Sequence, residues 1–176
     1  MAPEDEPPVR SLISRSAEAT EALGERLGGL LPEAGAVVAL DGELGTGKTC
    51  LVRGLARSRG VEQGVASPSY TLMHEYEGRT RVLHLDAWME GRGKAFLQDG
   101  GAEWLFTGGL VVVEWAERVR DWLPDSRLDV RLSHLGGPSE DSRRLDLRVR
   151  GAGPWALSLR SRLASMDLPE GLEEAG

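Results

Sequence analysis

At 176 residues, with 40% hydrophobic and 28% charged residues, the chain has the length and composition of one globular domain with its own core. Its formal net charge of −7 argues against DNA as a ligand and against the body of the protein holding nucleic acid alone, and no apolar run approaches the ~20 residues of a membrane span. One cysteine excludes an internal disulfide, and the acidic, proline-rich start "MAPEDEPPVR" is neither a signal nor a transit peptide, so a cytoplasmic location is expected.

Residues 1–8 read as a solvated tail, 9–166 as a single domain, and 167–176 ("DLPEGLEEAG") as a second, acidic and flexible tail. Leu23, Leu27, Leu30 and Leu31 recur at helical spacing behind Ser16, a suitable N-cap. "AVVALD" is a short β-branched run, hence a buried strand. "KTCLVRGLARSRG" predicts a helix with Leu51, Val52, Leu55 and Arg59 on one side and Gly60 as its stop. "YTLMHEYEGRTRVLHLDAW" predicts two strands joined at Gly78, and "LVVVEW" another buried strand. "RLDVRLSH" and "RRLDLRVR" both alternate strictly, so "LGGPSEDS" links an antiparallel hairpin in which Leu128, Val130 and Leu132 answer Leu145, Leu147 and Val149. "PWALSLRSRLA" predicts a last helix with Pro154 in its first turn.

Lysine occurs only at positions 48 and 94; every other basic side chain apart from three histidines is an arginine. Lys48 sits in "GELGTGKT", Gly42 to Thr49, which fits G-x-x-x-x-G-K-[ST] at every fixed position. Gly42, Gly45 and Gly47 let the backbone wrap a phosphate with its N–H groups, Thr46 among them, pointing inward. The helix that starts here turns its positive dipole end to the same phosphate. Lys48 offers a compact point charge to the β and γ phosphates, where an arginine fork is too broad, and Thr49 offers a hydroxyl to Mg²⁺. Cys50 belongs to this nucleotide-binding stretch by position, although its own chemistry reads as helix packing. The expected fold is α/β, a P-loop NTPase-like three-layer arrangement with a mixed central sheet and a C-terminal antiparallel hairpin.

Two strands end in carboxylates, Asp86 in "RVLHLDAW" and Glu114 in "LVVVEW". Ligands of open α/β sheets lie beyond the carboxyl ends of the strands, so both acids are candidates to face a nucleotide, one holding Mg²⁺ and one positioning water. Ser67-Pro68-Ser69 is a turn before a strand, and Ser69 and Thr71 are candidates for a switch loop near the γ-phosphate. Arg118, after Glu114, reads equally as a nucleotide contact and as part of a solvated helix face. His74, His84 and His134 lack metal-ligand spacing.

Together, "LDGELGTGKTCLVRGLARSRGV", "SPSYTLMHEYEG", "VLHLDAW" and "VVVEWAERVRDWLP", in this order, resemble the TsaE (YjeE) family of small bacterial P-loop ATPases needed for threonylcarbamoyladenosine synthesis on tRNA. The resemblance spans roughly residues 12–135. It implies that Thr49 and Glu114 hold Mg²⁺, that Asp86 serves hydrolysis, that Ser67 to Thr71 act as a switch, that Trp115 lies near the nucleotide, and that Ser16 approaches the adenine. It further implies modest ATP hydrolysis dependent on a TsaB–TsaD pair, with tRNA met only indirectly and no transfer of the threonylcarbamoyl group by this chain. The sequence departs from the family where D-L-Y-R-L becomes "DAWMEG", where the following acidic helix becomes "GKAFLQDGGAEWLF", and where E-W-P-E becomes "EWAE". The nucleotide-site residues stay in place.

Rival readings fare worse. A GTPase reads guanine with N-K-x-D, and this chain has no asparagine. A transporter-type ATPase needs L-S-G-G-Q and more length. A small-molecule P-loop kinase suits the size but needs an arginine-rich lid and an acceptor pocket, which the sequence does not display. A nucleotide-gated binding module with negligible turnover has no use for Asp86.

Overall fold

The computed structural model describes residues 7–136 and 141–176. In chain order they form β1 (Arg10–Ser14), α1 (Ala17–Leu30), β2 (Ala36–Asp41), α2 (Lys48–Ser58), β3 (Met73–Tyr76), β4 (Val82–Asp86), α3 (Arg92–Gln98), β5 (Leu110–Glu114), β6 (Arg127–His134), β7 (Arg143–Arg150), α4 (Pro154–Ala164) and β8 (Leu172–Glu174). Short 3-10 segments lie at Gly101–Phe106, Ala116–Arg118 and Arg120–Trp122. The strands make one sheet in the order β3-β4-β5-β2-β6-β7-β1-β8. β4, β5, β2 and β6 run parallel to one another; the β3/β4, β6/β7, β7/β1 and β1/β8 pairs are antiparallel. The sheet is therefore mixed, as the sequence predicts.

Side-chain alternation sorts the sheet into two faces. Val38 and Leu40 of β2, Val112 of β5, Leu128, Val130 and Leu132 of β6 and Leu145, Leu147 and Val149 of β7 pack with Leu23 and Leu27 of α1, Leu51 and Leu55 of α2 and Leu159 and Leu163 of α4. The hairpin register pairs Leu128 with Val149, Val130 with Leu147 and Leu132 with Leu145, as the two alternating segments require. On the other face Val37, Ala39, Leu83, Leu85, Val111 and Val113 meet Leu97 of α3, Leu105, Val119 and Leu123. Each large side chain buried this way contributes roughly 1.5–3 kcal/mol relative to exposure.

α1 and α2 pack unusually closely, through glycines. A Cβ on Gly54 would come within 1.9 Å of the Glu21 carbonyl oxygen, and one on Gly24 within 2.3 Å of the Leu51 carbonyl oxygen. This contact sets the second turn of α1 against α2, the helix that follows the P-loop.

Three features differ from the sequence reading. Residues 10–14 form a strand, with Leu12 fully buried, because β7 supplies a pairing edge that a five-residue segment does not advertise by itself. Residues 172–174, read as part of a solvated tail, pair with β1 as β8, and the Ala175 N–H donates to the Ser11 carbonyl at 2.9 Å. "GKAFLQDGGAEWLF" is broken in two, since Gly100 adopts φ 104° and a Cβ on Gly101 would overlap the Phe96 side chain at 2.5 Å. Residues 1–6 and the hairpin link 137–140 lie outside the described residues.

Candidate functional site

β2 ends at Asp41, and the chain turns through Gly42–Gly47 into α2. Gly42, Gly45 and Gly47 have φ of 147°, 77° and 96°, a backbone path that a side chain resists. A Cβ on Gly42 would also meet the Leu132 carbonyl oxygen at 2.3 Å. Thr46 is buried, its hydroxyl donating to the Glu43 carbonyl at 2.8 Å. Lys48 turns back over the loop, its Nζ donating to the carbonyls of Gly42 at 2.7 Å and Glu43 at 2.9 Å. Burial pushes its pKa down, while the carboxylates of Glu114, Glu117, Asp86 and Asp41 hold it up. Cys50 is half-buried on α2, with the Arg53 guanidinium 3.7 Å from its sulfur.

The two strand-end acids lie side by side, because β4 and β5 are parallel neighbours with Asp86 in register with Glu114. Both are buried. Glu114 Oε1 accepts from the Thr49 hydroxyl at 3.0 Å and sits 2.9 Å from His84 Nε2. His84 is fully buried and orients Glu114. Asp86 Oδ2 accepts from Ser67 Oγ at 2.6 Å and Ser69 Oγ at 2.7 Å, and Oδ1 from the Trp88 N–H at 2.8 Å. The Ser67–Ser69 turn is thus anchored on Asp86. Thr71 points elsewhere, its hydroxyl 2.9 Å from His74 Nε2, and His74 Nδ1 lies 3.1 Å from the Tyr76 hydroxyl. Tyr76 in turn donates to the Ala66 carbonyl at 3.0 Å, and its burial raises the pKa of its own hydroxyl.

Trp115 follows Glu114 in a left-handed conformation, φ 57° and ψ 42°, strained for so bulky a residue. That turn sets its ring 4.1 Å from Lys48 Nζ and 4.6 Å from the Trp88 ring. Arg118 lies across both indoles, 5.3 Å from Trp88 and 5.1 Å from Trp115, and donates to the Trp88 carbonyl. Ser16 caps α1, accepting from the Ala19 N–H at 3.1 Å, and the adjoining Thr20 borders Gly47.

The sequence gives no site role to Trp88, which reads as a core or interface residue, or to Asp41 and Glu117. All three line a cavity of about 540 Å³ beside the loop, with Gly42, Leu44, Trp115 and Arg131 among its other walls. The repeated glutamate of "EWAE" and the aspartate before Gly42 were the available signals. Among the described residues no three His, Cys, Asp or Glu side chains form a preformed metal cluster. Thr49 and Glu114 instead present adjacent oxygens, the donor type a hard divalent cation takes.

A family model for threonylcarbamoyl adenosine biosynthesis protein TsaE matches residues 14–144. The chain belongs to the TsaE family. Among its relatives, the tRNA threonylcarbamoyladenosine biosynthesis protein TsaE of Treponema pallidum is 39% identical over 123 residues, covering 70% of this chain and 90% of that protein. The Streptomyces coelicolor TsaE is 36% identical over 146 residues, covering 81% and 97%. The crystal structure of Bacillus subtilis YdiB superposes with a TM-score of 0.67 at 26% identity, over 87% of this chain and 94% of that one. The family role of TsaE is in tRNA threonylcarbamoyladenosine biosynthesis, and the P-loop of this chain suits an ATP-binding member. No helix among the described residues is long and apolar enough to cross a membrane.

Proposed function

We propose that this TsaE binds ATP on residues 42–49 and hydrolyses it slowly with Mg²⁺, as the nucleotide-driven component of the tRNA threonylcarbamoyladenosine machinery. In this reading it acts in the cytoplasm through a TsaB–TsaD pair and meets tRNA only indirectly. The observation that carries it is the joining of Glu114 to the P-loop helix through Thr49, with Asp86 in register beside it. Thr49 and Glu114 would hold the metal, which would supply positive charge to the phosphate oxygens. Lys48 exchanges its contacts with the Gly42 and Glu43 carbonyls for phosphate oxygens, which cost it little rearrangement because it already spans the loop. Asp86 holds and orients the attacking water, and Ser67 and Ser69 keep that carboxylate in one rotamer. Trp115 and Trp88 shield the Lys48 side of the site from solvent. Ser16 and the start of α1 border the adenine, and Arg118 the phosphates.

The test is Mg²⁺-dependent ATP turnover by the purified chain, with and without purified TsaB and TsaD, beside calorimetric titration of ATP, ADP and GTP. ATP and ADP are expected to bind and GTP no more tightly, with turnover rising when the partners are added. Tighter GTP binding, or turnover indifferent to the partners, overturns the reading.

A further inference from the structure

The turn that grips Asp86 is itself held at both ends by two side chains of β3 that the mechanism above does not use. Tyr76 is buried in the core, and its hydroxyl meets Ala66 twice, donating to the carbonyl at 3.0 Å and accepting from the N–H at 3.3 Å. His74 lies two residues earlier on the same strand face, with Nδ1 3.1 Å from the Tyr76 hydroxyl and Nε2 2.9 Å from the Thr71 hydroxyl. The direction of these bonds is determined. The Tyr76 proton goes to the Ala66 carbonyl, so His74 Nδ1 carries the hydrogen between the two rings; in the neutral imidazole Nε2 then accepts from Thr71. The chain Thr71–His74–Tyr76–Ala66 thus closes residues 66–71 against β3.

We infer that Tyr76 and His74 are positioning residues of the hydrolytic site, clasping the two ends of the 66–71 turn so that Ser67 and Ser69 stay on the Asp86 carboxylate; this rests on the reading of Asp86 as the residue that orients the attacking water. The clasp and its target belong to one hairpin. β3 pairs with β4, and Met73 stands opposite Leu85, one residue short of Asp86. The Leu72 carbonyl accepts from the Asp86 N–H at 2.8 Å, and the Leu72 N–H donates to the Pro68 carbonyl at 2.6 Å. Leu72 itself takes φ 74°, a conformation that is costly for a residue with a side chain and persists only where the surroundings enforce it. The clasp enforces it from the side of the turn. Further bonds to the segment, from Arg53 to the Val65 carbonyl and from Arg92 to the Tyr70 carbonyl, are exposed, so water competes for them.

Tyr76→Phe keeps the ring in the core and removes the hydroxyl alone. Ala66 and His74 lose their partner, and the turn gains freedom. The Asp86 carboxylate then spends less time in the rotamer that Ser67, Ser69 and the Trp88 N–H define. His74→Leu cuts the other half of the clasp at a half-buried position. Neither change touches the phosphate loop, so nucleotide affinity should stay while turnover falls.

The experiment has two arms on the full chain, using wild type, Tyr76→Phe and His74→Leu. In the first, without nucleotide, amide hydrogen exchange is followed by NMR at Trp88, whose N–H donates to Asp86 Oδ1, and at Leu51, whose N–H donates to the Gly47 carbonyl at the start of α2. Trp88 should exchange roughly tenfold faster in both variants, the scale of one net hydrogen bond, and Leu51 at the wild-type rate. In the second, single-turnover ATP hydrolysis with Mg²⁺, TsaB and TsaD is measured beside the calorimetric affinity for ADP. Hydrolysis should fall by roughly tenfold in each variant, with affinity within about twofold of wild type. Trp88 exchange unmoved in both variants overturns the inference, as does wild-type hydrolysis in both, or an affinity loss as large as the rate loss, which marks general disruption of the site. Faster Trp88 exchange in the variants of a chain whose wild type does not hydrolyse ATP upholds the clasp but sinks the reading of Asp86.

Discussion

Replacing Asp86 by asparagine and by alanine should separate its two jobs. Its carboxylate accepts hydrogen bonds from Ser67 and Ser69 on one oxygen and from the Trp88 N–H on the other. Asparagine keeps the acceptor for Trp88 and offers an amide to two hydroxyls that can rotate to accept it. The turn should survive, at a cost below about 1 kcal/mol. Alanine removes all three contacts. Charge-assisted hydrogen bonds are worth about 1.5–3 kcal/mol each, but Ser67 and Ser69 also bond each other at 2.8 Å and are only half-buried, so water replaces much of the loss. The net cost of Asp86→Ala should be about 1–2 kcal/mol, or a Tm lower by roughly 2–8 °C for a domain of this size. Hydrolysis should fall in both, since neither retains the charge proposed to orient water. Urea denaturation gives the stabilities, and single-turnover hydrolysis with TsaB and TsaD gives the chemistry. An Asp86→Asn chain that turns over at the wild-type rate, or an Asp86→Ala chain as stable as wild type, refutes this division.

Lys48→Ala should weaken ADP binding by at least tenfold, the lower end of a charge-assisted contact, and Lys48→Arg should not restore it; calorimetry on folded variants decides this. The same alanine leaves the Gly42 and Glu43 carbonyls without their donor, so a small loss of Tm should accompany the loss of binding. Glu114→Ala should abolish the dependence of ADP affinity on Mg²⁺, measured by titrating the metal, while binding of metal-free ADP persists; unchanged metal linkage would transfer the role to Asp86. Gly54→Ala would drive a Cβ into the Glu21 carbonyl and should cost about 1–3 kcal/mol in a denaturation curve, with weaker nucleotide binding as α1 and α2 separate.

Much of this molecule was legible because its signals are local. The P-loop needs glycine at three turning points and a lysine at its end, and those eight residues announce themselves. Strand β5 is five apolar or acidic residues in a row, and the β6–β7 register follows from alternation alone. Relations between distant segments were hidden. Nothing in "RSLIS" or "LEE" states that they pair, because each is stabilised by an edge made elsewhere. The bond of His84 to Glu114 and the grip of Ser67 and Ser69 on Asp86 depend on which strands lie side by side. Thr71 was expected with Ser69 but turns to His74, since Leu72 takes a positive φ of 74° and redirects the chain. Asp41 and Glu117 each look like a routine surface acid until the fold brings them together.

The short strand β8 has a practical side. A sheet that stopped at β1 would offer neighbouring molecules a row of bare amide and carbonyl groups, the usual starting point for strand-to-strand stacking between copies. Residues 172–175 occupy that row, and two of the three strand residues are glutamates, which repel any further strand of this acidic chain. Arg10 and Arg15 grip those glutamates and hold the plug in place. Solubility at high concentration should therefore depend on this three-residue strand. A chain lacking residues 172–176 should scatter more light on storage than one that keeps them.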